Sequence, residues 1–118
     1  MSGSFRDIKA WQKAIELMVE IYSSTRSFPR EEVYGLANQL RRAAASVPSN
    51  IAEGKGRASK KELAYFLSNA RGSLRELETQ IIISARLHYI APAVEQEFLN
   101  TVDDISRMLA GLINFASA

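Results

Sequence analysis

Between Leu63 and His88, apolar and small residues recur at steps of three and four: Leu63, Leu67, Ala70, Leu74, Leu77, Ile81, Ser84 and His88. On a strand, which presents alternate residues to each face, this series would scatter over both sides of a sheet. On an α-helix it forms one continuous stripe. A stripe of this length needs partners of similar length to cover it, and helical bundles supply them.

Three further segments carry the same spacing. They are Ile8, Trp11, Ile15, Met18 and Tyr22; Val33, Ala37, Leu40, Ala44, Val47 and Ile51; and Phe98, Val102, Ile105, Leu109, Leu112 and Ala116. No segment alternates with period two, so no strand is expected. "SFPRE", "EGKGRAS" and "LHYIAPAVE" separate the helical segments. Pro29 and Pro92 suit helix starts, and Ser59 with Glu62 spells a capping box. Short connections make sequential helices antiparallel neighbours. The expected fold is all-α, an antiparallel up-down-up-down four-helix bundle, with residues 1–118 forming a single domain.

Two positions strain against that pattern. Pro48 removes a backbone donor inside the second segment, where the apolar stripe continues to Ile51, so a kinked helix is expected, with a break into two pieces as the alternative. Gly72 lies in the middle of the third segment at a cost of about 1 kcal/mol relative to Ala. The expected reason is close approach of a neighbouring helix, leaving room for Arg41 or Arg42.

The chemistry-bearing residues exclude much. The chain has no cysteine, so disulfide and thiolate chemistry are absent. No apolar run approaches the roughly 20 residues of a membrane span. "MSGSFRD" lacks the apolar core of a secretory signal, so a cytoplasmic protein with no membrane partner is expected. The single histidine, His88, fits a partly buried or helix-capping role better than that of a general base. Ala85 stands three residues before it, where a di-metal bundle would carry Glu. No catalytic residue, metal site or cofactor is expected, and the reading is non-enzymatic.

Charge is unevenly distributed. Residues 41–75 carry Arg41, Arg42, Lys55, Arg57, Lys60, Lys61, Arg71 and Arg75 against Glu53 and Glu62, while residues 76–118 carry two bases against six acids. Such an excess attracts polyanions. Arg41, Arg42, Lys55, Arg57, Lys60 and Lys61 are the candidate nucleic-acid-binding residues, with RNA the first expectation and a protein-binding scaffold the alternative. "GKGRASKK" is not a Walker loop, because its glycine spacing is wrong. No aromatic residue is interleaved with the basic cluster, so base stacking is not expected. A polar stripe on the second segment faces "NARGSLRELET", which predicts a structural network of Asn50, Glu53, Arg71, Glu76 and Glu78, with Arg41 or Arg42 reaching Glu76 or Glu78. Apolar residues beyond the stripes, above all the consecutive Ile81, Ile82 and Ile83, exceed what one core can absorb and predict self-association.

"FRDIKAWQKAIELMVEIY", "YGLANQLRRAAASVPSNIAEGKGR" and "FLSNARGSLRELETQI" closely resemble the four-helix-bundle proteins encoded by intervening sequences of bacterial large-subunit ribosomal RNA genes. The resemblance is clearest from Phe5 to about Tyr89 and reaches the fourth segment by pattern alone. It implies an antiparallel bundle, assembly into a homopentameric ring and no known enzymatic activity. The chain is also similar to the accessory proteins of diversity-generating retroelements, which implies a basic pentameric barrel that binds a reverse transcriptase and nucleic acid. The near-neutral net charge of +2 departs from that second pattern.

Overall fold

The structure, a computed structural model, describes residues 3–118. Four helices account for most of them: α1 (Lys9–Thr25), α2 (Leu36–Lys55), α3 (Lys60–Arg86) and α4 (Pro92–Ser117), with short 3-10 turns at Phe5–Asp7 and Arg30–Glu32 and no strand among the described residues. Each helix packs closely on its two ring neighbours, while the backbones of the diagonal pairs α1/α3 and α2/α4 stay further apart. The long axis of 43 Å matches α3, whose 27 residues span about 40 Å at the usual helical rise.

Local chemistry sets the helix ends. Ser59 Oγ accepts from the Glu62 amide at 3.1 Å and donates to the Glu62 carboxylate at 3.2 Å, capping α3. The C-terminus of α3 closes with the Tyr89 amide on the Ser84 carbonyl and the His88 amide on that of Ala85. This is a Schellman arrangement, in which His88 takes the left-handed position at φ +63° that glycine usually fills. Gly35 offers α2 no side-chain cap, so Glu32 Oε1 accepts from the Leu36 amide instead, at 3.1 Å. Pro92 stands at the start of α4. Pro48 does not break α2, which runs through it as one helix of 20 residues.

The core is formed chiefly by Leu17 and Ile21, Leu40 and Ile51, Leu74 and Ile81, and Ile105 and Leu109, all essentially inaccessible. The stripes expected on α2, α3 and α4 largely hold, although Val33 and His88 lie beyond the helices and are exposed. On α1 the stripe is displaced by one residue. Ala10, Ala14, Leu17, Ile21 and Thr25 are buried, while Ile8, Trp11, Ile15 and Met18 flank the seam and Tyr22 is exposed. Two adjacent series on α1 share the same spacing. The inward one carries the small Ala10 and Ala14, which let the neighbouring helices approach, and the bulky one seals the edges, with Trp11 edge-on to Phe5 at 5.3 Å.

The reading of Gly72 is corrected. It is exposed, and a Cβ there would meet nothing within 4 Å, so no neighbouring helix of this chain needs the space. The close approach occurs at Gly54, where a Cβ would lie 3.0 Å from Phe66 Cβ and 3.3 Å from Leu63 Cδ1. The isoleucine run divides as a helix requires: Ile81 is buried, Ile82 half-buried and Ile83 is 41% exposed.

Candidate nucleic-acid interface

The six candidate basic residues do not form one surface. Arg41 turns to α1, where Nε donates to Thr25 Oγ1 at 2.8 Å and the guanidinium lies 4.9 Å from the Tyr22 ring centroid. Arg42 enters a polar cleft of about 330 Å3 between α2 and α3, lined also by Gln39, Ser46, Ser73 and Glu76. Both lie about 20 Å up the helix from Lys55, at 1.5 Å per residue.

The other four gather at the α2–α3 turn. Arg57 is held by Glu53 at 2.7 Å, by Glu62 at 4.0 Å and by the face of Phe66 at 4.7 Å. Lys55 is half-buried. Lys60 places Nζ 4.5 Å from the Phe115 ring centroid, and Lys61 is exposed. Neither Lys60 nor Lys61 makes an ion pair among the described residues.

Antiparallel topology brings the N-terminal 3-10 turn to this same end, where it packs on α2. Counting the connections and the adjoining helical turns, this end carries Arg6, Lys9, Lys55, Arg57, Lys60 and Lys61 against Asp7, Glu53 and Glu62. The opposite end carries Arg26, Arg30 and Arg86 against Glu31, Glu32 and Glu95. One end of the bundle is therefore basic and the other balanced. Arg6 and Lys9 escaped the sequence reading because they are remote in the chain, although antiparallel pairing of short-linked helices would have placed them here.

The expected network of Asn50, Glu53, Arg71, Glu76 and Glu78 does not assemble within the chain. Asn50 donates to the Ser46 carbonyl and hydroxyl, and Ser46 shares a 2.8 Å hydrogen bond with Ser73 across α2 and α3. Glu53 pairs with Arg57, and Glu78 with Arg75 at 2.9 Å. Arg71 and Glu76 are exposed and make no ion pair among the described residues. Nor does Arg41 or Arg42 reach Glu76 or Glu78. Partners three or four residues away are already within reach of a solvated side chain, so local pairs form at lower entropic cost than a cross-helix network.

Aromatic rings also border the basic end, contrary to expectation. Tyr65 is 62% exposed one turn beyond Lys61, Phe66 lies edge-on to it with centroids 5.1 Å apart, and Phe115 arrives from the far end of the sequence. The i, i+4 relation of Lys61 to Tyr65 was the signal available in the sequence.

The family model for the 23S rRNA-intervening sequence protein matches residues 6–111, nearly the whole bundle. The chain belongs to the 23S rRNA-intervening sequence protein family. This member of the family has the fold of a crystallised protein of unknown function from the S23 ribosomal protein family of Bacteroides thetaiotaomicron. The two superpose with a TM-score of 0.79 over 88% of this chain and 97% of that one, at 21% identity. No curated protein matches this 23S rRNA-intervening sequence protein family member. No helix among its described residues is long and apolar enough to cross a membrane.

Proposed function

We propose that the protein is a non-enzymatic, self-associating bundle of the cytoplasm that grips the phosphate backbone of RNA with its basic end. The observation that carries this reading is the convergence of Arg6, Lys9, Lys60 and Lys61 at one end while the other end is charge-balanced. Lys60 and Lys61 are the principal phosphate contacts, because Arg41 and Arg57 are engaged inside the fold. Titrating a structured RNA at rising salt tests it: each phosphate neutralised releases counterions, so affinity should fall steeply. Lys60→Ala and Lys61→Ala should each flatten that slope by about one. Binding that is absent at low salt overturns the reading.

Self-association is supported by Val19, Ile83 and Leu87, all more than 40% exposed. An oligomer would cover such apolar side chains. Five copies are the number that the family resemblance suggests. Sedimentation should give a multiple of 13.1 kDa, and a monomer at micromolar concentration overturns it. A scaffold that binds protein alone is the second reading, favoured by the engagement of Arg57, Arg75 and Arg107 in ion pairs with neighbouring acids. No RNA binding even at low salt and high protein concentration would leave that one standing.

A further inference from the structure

We infer that the basic end takes unpaired nucleotides, stacking bases on Tyr65 and Phe115 while Lys60 and Lys61 hold the adjoining phosphates. The inference rests on the polyanion reading above and names the form of nucleic acid that this end recognises.

Tyr65 is the first observation. It is 62% exposed in the second turn of a rigid, capped helix. The Phe66 ring stands at 84° to it, edge to face rather than stacked, and most of the phenol is left to solvent. Core packing does not account for a ring in this position. Lys61 stands one helical turn before it on the same face of α3, so the two side chains leave the helix as neighbours.

Phe115 is the second, from a different helix. It is 41% exposed and borders a cleft of about 170 Å3 with Lys55, Arg57, Ser59 and Lys60. The Lys60 ammonium rests 4.5 Å from its centroid. That contact leaves the cation outside any ion pair, so as a base takes the ring face the ammonium can turn to the adjoining phosphate.

Cations beside exposed rings match the chemistry of single strands. In a duplex the bases stack on one another and the protein meets phosphates and grooves. In a single strand every base offers a free face that an aromatic side chain can cover, and the backbone follows the positive charge. A duplex-binding or purely solubilising surface gains nothing from an open tyrosine there. Arg57 over Phe66 is a different case, because its pairing with Glu53 makes it a fastener of the α2–α3 turn.

The test compares labelled oligouridine, labelled oligothymidine and a blunt RNA duplex of equal length, by fluorescence anisotropy at fixed salt with the full chain. Both single strands should bind roughly tenfold tighter than the duplex, since stacking uses base faces that DNA and RNA share. Tyr65→Ala should weaken single-strand binding roughly tenfold with an unchanged salt slope, and Tyr65→Trp should retain it. Phe115→Ala should act in the same direction. Because Phe115 also packs at a helix end, the Tyr65 variants, whose ring is solvent-facing, keep the test decisive when unchanged circular dichroism confirms folding. Equal affinity for duplex and single strand, with Tyr65→Ala silent, overturns the stacking inference and leaves polyanion binding intact. Absence of salt-sensitive binding to all three overturns both.

Discussion

The Tyr89 hydroxyl donates to Glu32 Oε2 at 3.0 Å, tying the α3–α4 connection to the α1–α2 connection at the charge-balanced end of the bundle. The other Glu32 oxygen caps α2, and the Tyr89 ring lies 5.1 Å from that of Phe28. The hydrogen bond to Glu32, then burial, then the negative charges of Glu32 and Glu31 raise the phenol above its ordinary value of 10.0.

A phenol raised in this way stabilises the fold fully below its unfolded value of 10.0, and the contribution is lost as pH climbs through the raised folded value. Tyr89→Phe should therefore lower the melting temperature at neutral pH, and its deficit should shrink on strongly alkaline titration. Thermal melts of both proteins across that range check it; a deficit that does not vary with pH would contradict the assignment.

Gly54→Ala should destabilise. The added methyl gains the usual helix preference of about 1 kcal/mol, but it must displace Phe66 Cβ and Leu63, which approach to 3.0 and 3.3 Å. Overpacking costs about 1–3 kcal/mol, so urea unfolding should show a net loss of roughly 1 kcal/mol. An increase would mean that α2 and α3 separate freely at this turn.

His88→Gly should stabilise the chain. A side chain in the left-handed region costs roughly 1–2 kcal/mol, and His88 sits at φ +63° with its side chain exposed. Part of the gain is offset by the greater backbone entropy of unfolded glycine. The midpoint of urea unfolding should rise by the equivalent of about 0.5–1 kcal/mol, with the slope unchanged.

Gly72→Ala should also stabilise the folded chain, by about 0.5–1 kcal/mol, because its added carbon meets open space. Ile83→Glu removes a 41% exposed apolar side chain and should shift sedimentation toward the 13.1 kDa monomer while leaving helicity unaltered. A variant that stays assembled would place the self-contact on another face.

The periodicity of α3 was legible because Leu63, Leu67, Ala70, Leu74, Leu77, Ile81 and Ser84 keep one unbroken spacing, while the apolar residues off that stripe, such as Tyr65 and Ile83, do not continue a series of their own. On α1 two stripes of equal spacing lie side by side, and only packing against α2 and α4 decided between Leu17/Ile21 and Met18/Tyr22. The Ser59 cap was readable because it depends on residues three apart, whereas Glu32 reaching Tyr89 depends on two loops meeting across 57 positions of sequence.

The residue pattern alone settled that four amphipathic helices, joined by short links, would pack antiparallel, because burying apolar stripes is a local requirement repeated along the chain. Tertiary structure decided which charges remain available. Arg41 and Arg42 looked equivalent, yet a 100° turn of helix sends one to Thr25 and leaves the other exposed on the wall of a cleft. Lys60 and Phe115 meet only because α4 runs back beside the start of α3, and a contact between distant residues forms when the whole bundle closes.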